Sequence, residues 1–275
     1  MKFTVKMPGS CGELVQGIFQ GEPFLITCPI DLYTTVTISD EFVGHFGIGW
    51  KSEAMLEKTL KYFDCNQFNF GIFGIKLESE LPHGKGMASS SADIAAVGKA
   101  VSLALNVDIT AQEIAALATS IEPTDGIFYD GIVAMNPVTG KLLSNTFAIP
   151  EYNILIFDFG SQINTLEFKR RSNFYLNELP TTLDMNLVTA SSLANQSILY
   201  KSGLEEIVEF SKSIEALGVN VAHTGTVIGI IFDEDMESEK IDEYSKVITD
   251  KFPQIAFMMK TKIISGGFKV NVAQL

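Results

Sequence analysis

The stretch Pro82-His83-Gly84-Lys85-Gly86-Met87-Ala88-Ser89-Ser90-Ser91 most constrains this chain, because it runs a glycine-rich turn directly into a helix. From Ser90 onward Ile94, Val97, Val101 and the pair Ala104/Leu105 recur at helical spacing. The serines therefore fall on the helix's first turn, where backbone N–H groups have no intrahelical partner. The macrodipole adds partial positive charge at that end, and Gly84 and Gly86 let the backbone approach a ligand with no Cβ in the way. An anion such as a nucleotide polyphosphate fits there, with the hydroxyls as further donors or a magnesium ligand. A plainer reading competes: Ser90 and Asp93 also satisfy the capping-box pattern, and glycine-serine loops are common. The string is not a Walker A loop, and Leu81-Pro82-His83 before the glycines disfavours a dinucleotide fingerprint.

With 275 residues, 46% of them hydrophobic, the chain can pack two domains or one large one. No apolar run reaches the roughly 20 residues of a membrane span, and the first residues look like a strand entering a turn, so a cytoplasmic location is expected. Cys11, Cys28 and Cys65 form no Cys-x-x-Cys pair, which suits reduced thiols. A formal charge of −13 disfavours nucleic acid and anionic membranes as partners, and leaves a polyphosphate to local donors and magnesium.

Residues 2–7, 25–27, 33–38 and 68–77 read as strands, with turns at Pro8-Gly9 and Glu22-Pro23. After the glycine loop and its helix, a second helix starts at the capping box Thr110-x-x-Glu113, carries Ile114, Leu117 and Ile121 on one face, and stops at Pro123 with Glu122 in its last turn. Beyond Pro150 the order strand 153–159, helices 183–200 and 204–217, strand 227–232, helix 241–252 and strand 262–270 predicts an antiparallel sheet with helices on one face. Gly218 closes the helix before it, and the lone Trp50 is expected in the core. The fold class is α+β, with a division between residues 1–150 and 151–275.

Three separated segments fit one pattern: Pro8-Gly9-Ser10-Cys11-Gly12-Glu13-Leu14-Val15-Gln16-Gly17, then residues 82–92, then Ala222-His223-Thr224-Gly225-Thr226-Val227. In order and spacing they resemble the three motifs of the GHMP kinases, from end to end of the chain. With Glu122-Pro123-Thr124-Asp125, the strings are most similar to those of the L-threonine kinases associated with propanediol utilisation and cobalamin synthesis. The resemblance implies a ribosomal protein S5 domain 2-like N-terminal domain and a ferredoxin-like C-terminal domain. It also implies ATP and a small amino-acid substrate in the cleft between them. Two departures stand out: the commoner second motif reads Gly-Leu-Gly-Ser-Ser where this chain has Ala88, and Ser10 stands where some members place a lysine.

Phosphoryl transfer needs a held polyphosphate, a metal and an in-line hydroxyl, and little covalent work from the protein. The resemblance assigns the ATP-binding loop to Pro82, Gly84, Lys85, Gly86, Met87, Ala88, Ser89, Ser90 and Ser91, and a magnesium ligand to Ser90. Glu122 is a second magnesium candidate, because a carboxylate at a helix C-terminus is disfavoured unless a cation compensates it. Asp125 is the candidate base for the substrate hydroxyl, with Asp130 a weaker one, although Asp before Gly is also ordinary turn chemistry. Ser10, Glu13 and Gln16 offer a hydroxyl, a carboxylate and an amide to an amino-acid substrate. Arg170 and Arg171 read as a solvated basic stretch, and His45, His83 and His223 lack metal-ligand spacing. Homoserine kinase is the nearest alternative activity. A ligand sensor that has lost turnover is the alternative of another class.

Overall fold

A computed structural model describes residues 1–65, 73–144, 146–160 and 174–273. It opens on a long hairpin, β1 (Lys2–Phe19) against β2 (Glu22–Ser39). The turn is Gln20-Gly21, both at positive φ (52° and 82°), the backbone pattern that suits a two-residue hairpin loop. Glu22-Pro23 therefore begins a strand rather than forming the turn. Pro8-Gly9 is not a turn either: β1 runs through it, with register shifts at Pro8/Gly9, Ser10/Glu13 and Glu13/Val15 that bend the strand without ending it.

Next come β3 (Gly44–Phe46), α1 (Trp50–Tyr62), β4 (Gly74–Ser79), α2 (Ser89–Ala104), α3 (Ala111–Thr119) and β5 (Ala134–Met135). The remainder is β6 (Asn153–Asp158), β7 (Tyr175–Leu176), α4 (Met185–Ala194), α5 (Leu204–Ser213), β8 (Gly218–Val221), β9 (Val227–Phe232), α6 (Ser238–Lys251), β10 (Ala256–Lys262) and β11 (Lys269–Ala273). The sheet runs β10-β6-β9-β8-β1-β2-β4-β3, with β7 and β11 added on β1 and β5 on β2. The architecture is α+β; β10, β6 and β9 pair antiparallel in the kind of sheet expected, and β8, a strand the sequence reading lacks, pairs antiparallel with β9.

Three expectations are corrected. Trp50 is not core but 64% exposed, and it starts a helix absent from the sequence reading. Gly218 does not stop a helix; α5 ends at Ser213 and Gly218 opens the buried strand β8. The last expected strand, 262–270, is instead two, β10 and β11, lying to either side of a loop. Half of the expected strand at 68–77, residues 68–72, lies outside the described residues, and residues 74–77 of the other half are in β4.

The core explains the layering. Met55, Ile94, Val97, Val101 and Ile114 of α1–α3 pack on Val5, Val36, Ile38 and Ile75 of β1, β2 and β4. In β6 the side chains alternate: Ile154 and Ile156 join Leu14 and Val15, whereas Leu155 and Phe157 join Ile207 of α5 and Ile248 of α6. A strand buried on both faces reads as a continuous apolar run, as Ile154-Leu155-Ile156-Phe157 does. No helix among the described residues is long and apolar enough to cross a membrane.

Candidate active site

The three glycine-bearing segments meet backbone to backbone. Ser10 N–H donates to Met87 O at 3.0 Å and Gly12 N–H to Gly86 O at 3.1 Å, tying β1 to the loop before α2. From the other side, Thr226 N–H donates to Lys85 O at 2.9 Å, tying the β8–β9 turn to the same loop. Side chains have no room here. A Cβ on Gly12 (φ +58°) would sit 2.5 Å from Ala222 Cα, and one on Gly86 (φ +85°) 2.8 Å from Gly225 Cα.

Around this junction opens a cleft of about 340 Å³. Gly84, Gly86, Met87, Ala88, Ser89, Ser90 and Ser91 line it, so most of the expected ATP-binding loop faces one space; Pro82 and Lys85 are not among the lining residues. Lys85 instead sends its ammonium to Asp158 Oδ2 at 2.6 Å, at the end of β6. The expected Ser90/Asp93 capping box does not form. The helix N-cap is Ala88 in the left-handed region (φ 55°, ψ 22°), Ser90 bonds elsewhere, and Asp93 accepts from Thr34 Oγ1 at 2.7 Å. Burial raises the Asp93 carboxyl above its ordinary range, opposed by that hydrogen bond and by His83 and Lys51.

Glu122 lies just past α3, its N–H still donating to Ala118 O at 3.1 Å. It is 6% exposed and accepts Ser90 Oγ–H on Oε1 and the Lys51 ammonium on Oε2, the latter at 2.5 Å. Two residues after Pro123, Asp125 accepts Ser91 Oγ–H at 2.9 Å and returns its own N–H to the same hydroxyl at 3.3 Å. Gly126 N–H to Thr27 Oγ1 (2.9 Å) and Thr124 N–H to Pro137 O (3.0 Å) fix this segment on β2 and on the loop after β5. Consecutive serines on the first turn of α2 thus hold the two carboxylates.

Glu13 also lines the cleft, accepting His223 N–H at 2.8 Å. Ser10 and Gln16 are buried and do not line it; Gln16 exchanges backbone hydrogen bonds with the Ser191 hydroxyl of α4. Asp130 is exposed away from the cleft, His45 pairs with Glu53, and Arg170 and Arg171 lie outside the described residues. Lys51 was missed. Among the described lining residues it is the one lysine beside the carboxylates Glu13, Asp93, Glu122 and Asp125, and α1 delivers it together with Trp50.

Such a cleft can surround a polyanion with backbone N–H groups and hydroxyls while offering hard oxygen donors to a cation. Residues 53–130 match the GHMP kinases N terminal domain. The chain is 27% identical over 292 residues to the L-threonine kinase of Salmonella typhimurium, covering 98% of this chain and 95% of that protein. It is 26% identical to the L-threonine kinase of Citrobacter freundii, covering 98% and 99%. The crystal structure of a homoserine kinase from Cytophaga hutchinsonii superposes with a TM-score of 0.66 at 15% identity, covering 98% of this chain and 97% of that one. The class is therefore an ATP-dependent kinase acting on an alcohol group. Within it, residues 53–130 carry the N-terminal domain of the GHMP kinases.

Proposed function

We propose that this chain transfers the γ-phosphoryl group of ATP to the hydroxyl of L-threonine, giving L-threonine O-3-phosphate. The observation that carries the reading is the convergence of Ser90, Glu122 and Asp125 at the N-terminus of α2, beside a junction of glycines. The donor set fits magnesium: a hydroxyl and a carboxylate are hard oxygen ligands, and this ion takes one or two protein carboxylates with phosphate oxygens and waters. Among the described residues no three His, Cys, Asp or Glu side chains form a cage, which suits an ion shared with the nucleotide. When bound, magnesium neutralises charge on the transferring phosphoryl group.

The loop from Gly84 to Ser91 holds the phosphates through N–H groups and hydroxyls, and Lys51 supplies the cationic group that the first motif lacks at Ser10. Asp125, oriented by Ser91, accepts the proton of the substrate hydroxyl. Glu13 is the side chain of the first motif available to an amino-acid ammonium, while Ser10 and Gln16 shape the strand that presents it. The division at residue 150, a cytoplasmic location and the association with propanediol utilisation and cobalamin synthesis belong to the same reading. The L-threonine kinase relatives support threonine as the acceptor.

Specificity constants for L-threonine, L-homoserine and L-serine under one ATP and magnesium condition test it. One buried methyl is worth on the order of 1 kcal/mol, so threonine is expected to exceed serine by about tenfold. A winning homoserine moves the substrate assignment to the rival activity. No turnover with any of the three favours the sensor.

A further inference from the structure

Lys201 is a buried lysine that the phosphoryl-transfer reading does not use. It is 3% exposed, in the segment between α4 and α5, and its own backbone is fixed: its N–H donates to Gln196 Oε1 at 2.7 Å, and its carbonyl accepts from Gln196 Nε2 at 3.0 Å and Leu204 N–H at 3.2 Å. Its ammonium donates to Ala222 O at 2.9 Å. Lys201 does not line the nucleotide cleft. It borders a separate cavity of about 260 Å³ behind the β8–β9 turn, with Gly225 and Thr226.

The carbonyl that Lys201 grips and the N–H that Glu13 grips belong to one peptide unit, that between Ala222 and His223. A cation sits at the negative end of this peptide dipole and a carboxylate at its positive end, so both charges favour one orientation of the plane. That orientation has consequences on the cleft side. Ala222, His223 and Thr224 line the cleft, and Ala222 and Gly225 close against Gly86 and Gly12 with no space to spare. Rotation of this peptide would move the turn that seats the phosphate-binding loop.

We propose that Lys201 is a positioning residue which, paired across the Ala222–His223 peptide with Glu13, clamps the β8–β9 turn in the geometry the nucleotide cleft requires. This rests on the reading of the cleft as the ATP site. Burial pushes the Lys201 amine down to about 8, opposed by the charge of Glu13, so keeping an ammonium here costs stability. Below pH 8 that cost is present in full, and it is regained as pH rises from there toward the unfolded lysine value, where the unfolded chain binds more protons than the folded one. A side chain kept only for packing would be more stable as a hydrocarbon.

The test measures ADP affinity by calorimetry with no acceptor present, together with kcat, KM and Tm, for the parent, Lys201→Met and Lys201→Arg. Lys201→Met is expected to weaken ADP about ten- to a hundredfold, as for loss of a charged hydrogen bond, while Tm moves by less than about 4 °C. Lys201→Arg, which keeps the donor and the charge, should recover most of the affinity. An unchanged ADP affinity in Lys201→Met overturns the proposal, as does a fall in Tm with affinity intact. If Lys201→Met does not fold, Lys201→Gln, which removes the charge, takes its place in a cycle with Glu13→Gln and their double variant: losses of ADP affinity that simply multiply show no shared peptide clamp. A parent protein that binds no ADP would refute the nucleotide-site reading itself, and is thereby told apart from failure of the clamp.

Discussion

Ala88 is the N-cap of α2 and occupies the left-handed region at φ 55°, ψ 22°, where the chain turns out of the glycine loop into the helix. A Cβ in that conformation costs roughly 1–2 kcal/mol. Replacing Ala88 with glycine removes the cost but gives the unfolded chain more freedom, a loss of roughly 0.5–1 kcal/mol. It also removes a methyl that is only partly buried against the N-terminal core, so a small fraction of the ~0.8 kcal/mol of a buried CH₂ is forfeited. The helix bond from Ala92 N–H to Ala88 O, at 2.8 Å, is kept. The balance is a stabilisation of about 0.5 kcal/mol, which for a chain of this size raises Tm by about 1–2 °C. Scanning calorimetry, with urea unfolding at constant m, measures it. Ala88→Val is the opposing control, because a β-branched residue at positive φ is a true outlier and should lower Tm by several degrees. If Ala88→Gly lowers Tm and Ala88→Val is tolerated, the left-handed assignment at the mouth of the phosphate loop is wrong.

Glu122→Gln and Ser90→Ala should each reduce turnover by about a hundredfold or more while leaving the fold intact, and magnesium titration should show a raised requirement in both. Near-parental activity at an unchanged magnesium optimum would remove these residues from the metal site. Asp125→Asn should lower kcat with ATP affinity almost unchanged, because proton acceptance is felt only in the transition state, and an unaltered kcat would leave positioning alone as the source of rate.

Where the hydrophobic pattern was undiluted, the sequence was informative about the fold. Ile154-Leu155-Ile156-Phe157 and Val227-Ile228-Gly229-Ile230-Ile231-Phe232 read as strands and form β6 and β9, and the Thr110/Glu113 capping box starts α3 as read. α1 escaped because its buried stripe is Ser52, Met55, Leu56 and Thr59: the helical spacing is there, but half of the positions are hydroxyl residues that apolar periodicity ignores. Thr59 can be buried because its hydroxyl donates to Met55 O at 2.8 Å, one turn back. β8 escaped for a related reason, since Gly218-Val219-Asn220-Val221 begins on a residue that usually punctuates and carries an asparagine at its centre. Asn220 is tolerated there because it reaches across to the bulged β1 and donates to the carbonyls of Cys11 and Glu13.

Of the cleft, the parts carried by local strings were legible, and those created by long-range pairing were not. Glycines, serines and Glu122 announce themselves through turn chemistry and helix-end electrostatics, which act within a few residues. Lys51 reaches Glu122 across 71 positions of chain, and nothing near it marks it as more than one of 20 basic residues. The charge balance makes that contact matter. The protein carries −13 overall and sets Glu13, Asp93, Glu122 and Asp125 around the cleft, so a polyphosphate entering it meets carboxylate repulsion that Lys51 of α1 and the N-terminus of α2 oppose. Lys51 offsets part of that repulsion at Glu122, with only 20% of its side chain exposed to screening solvent. On the proposed reading, the phosphate-binding loop is thus joined in holding a polyanion by one lysine from a helix that the sequence hides.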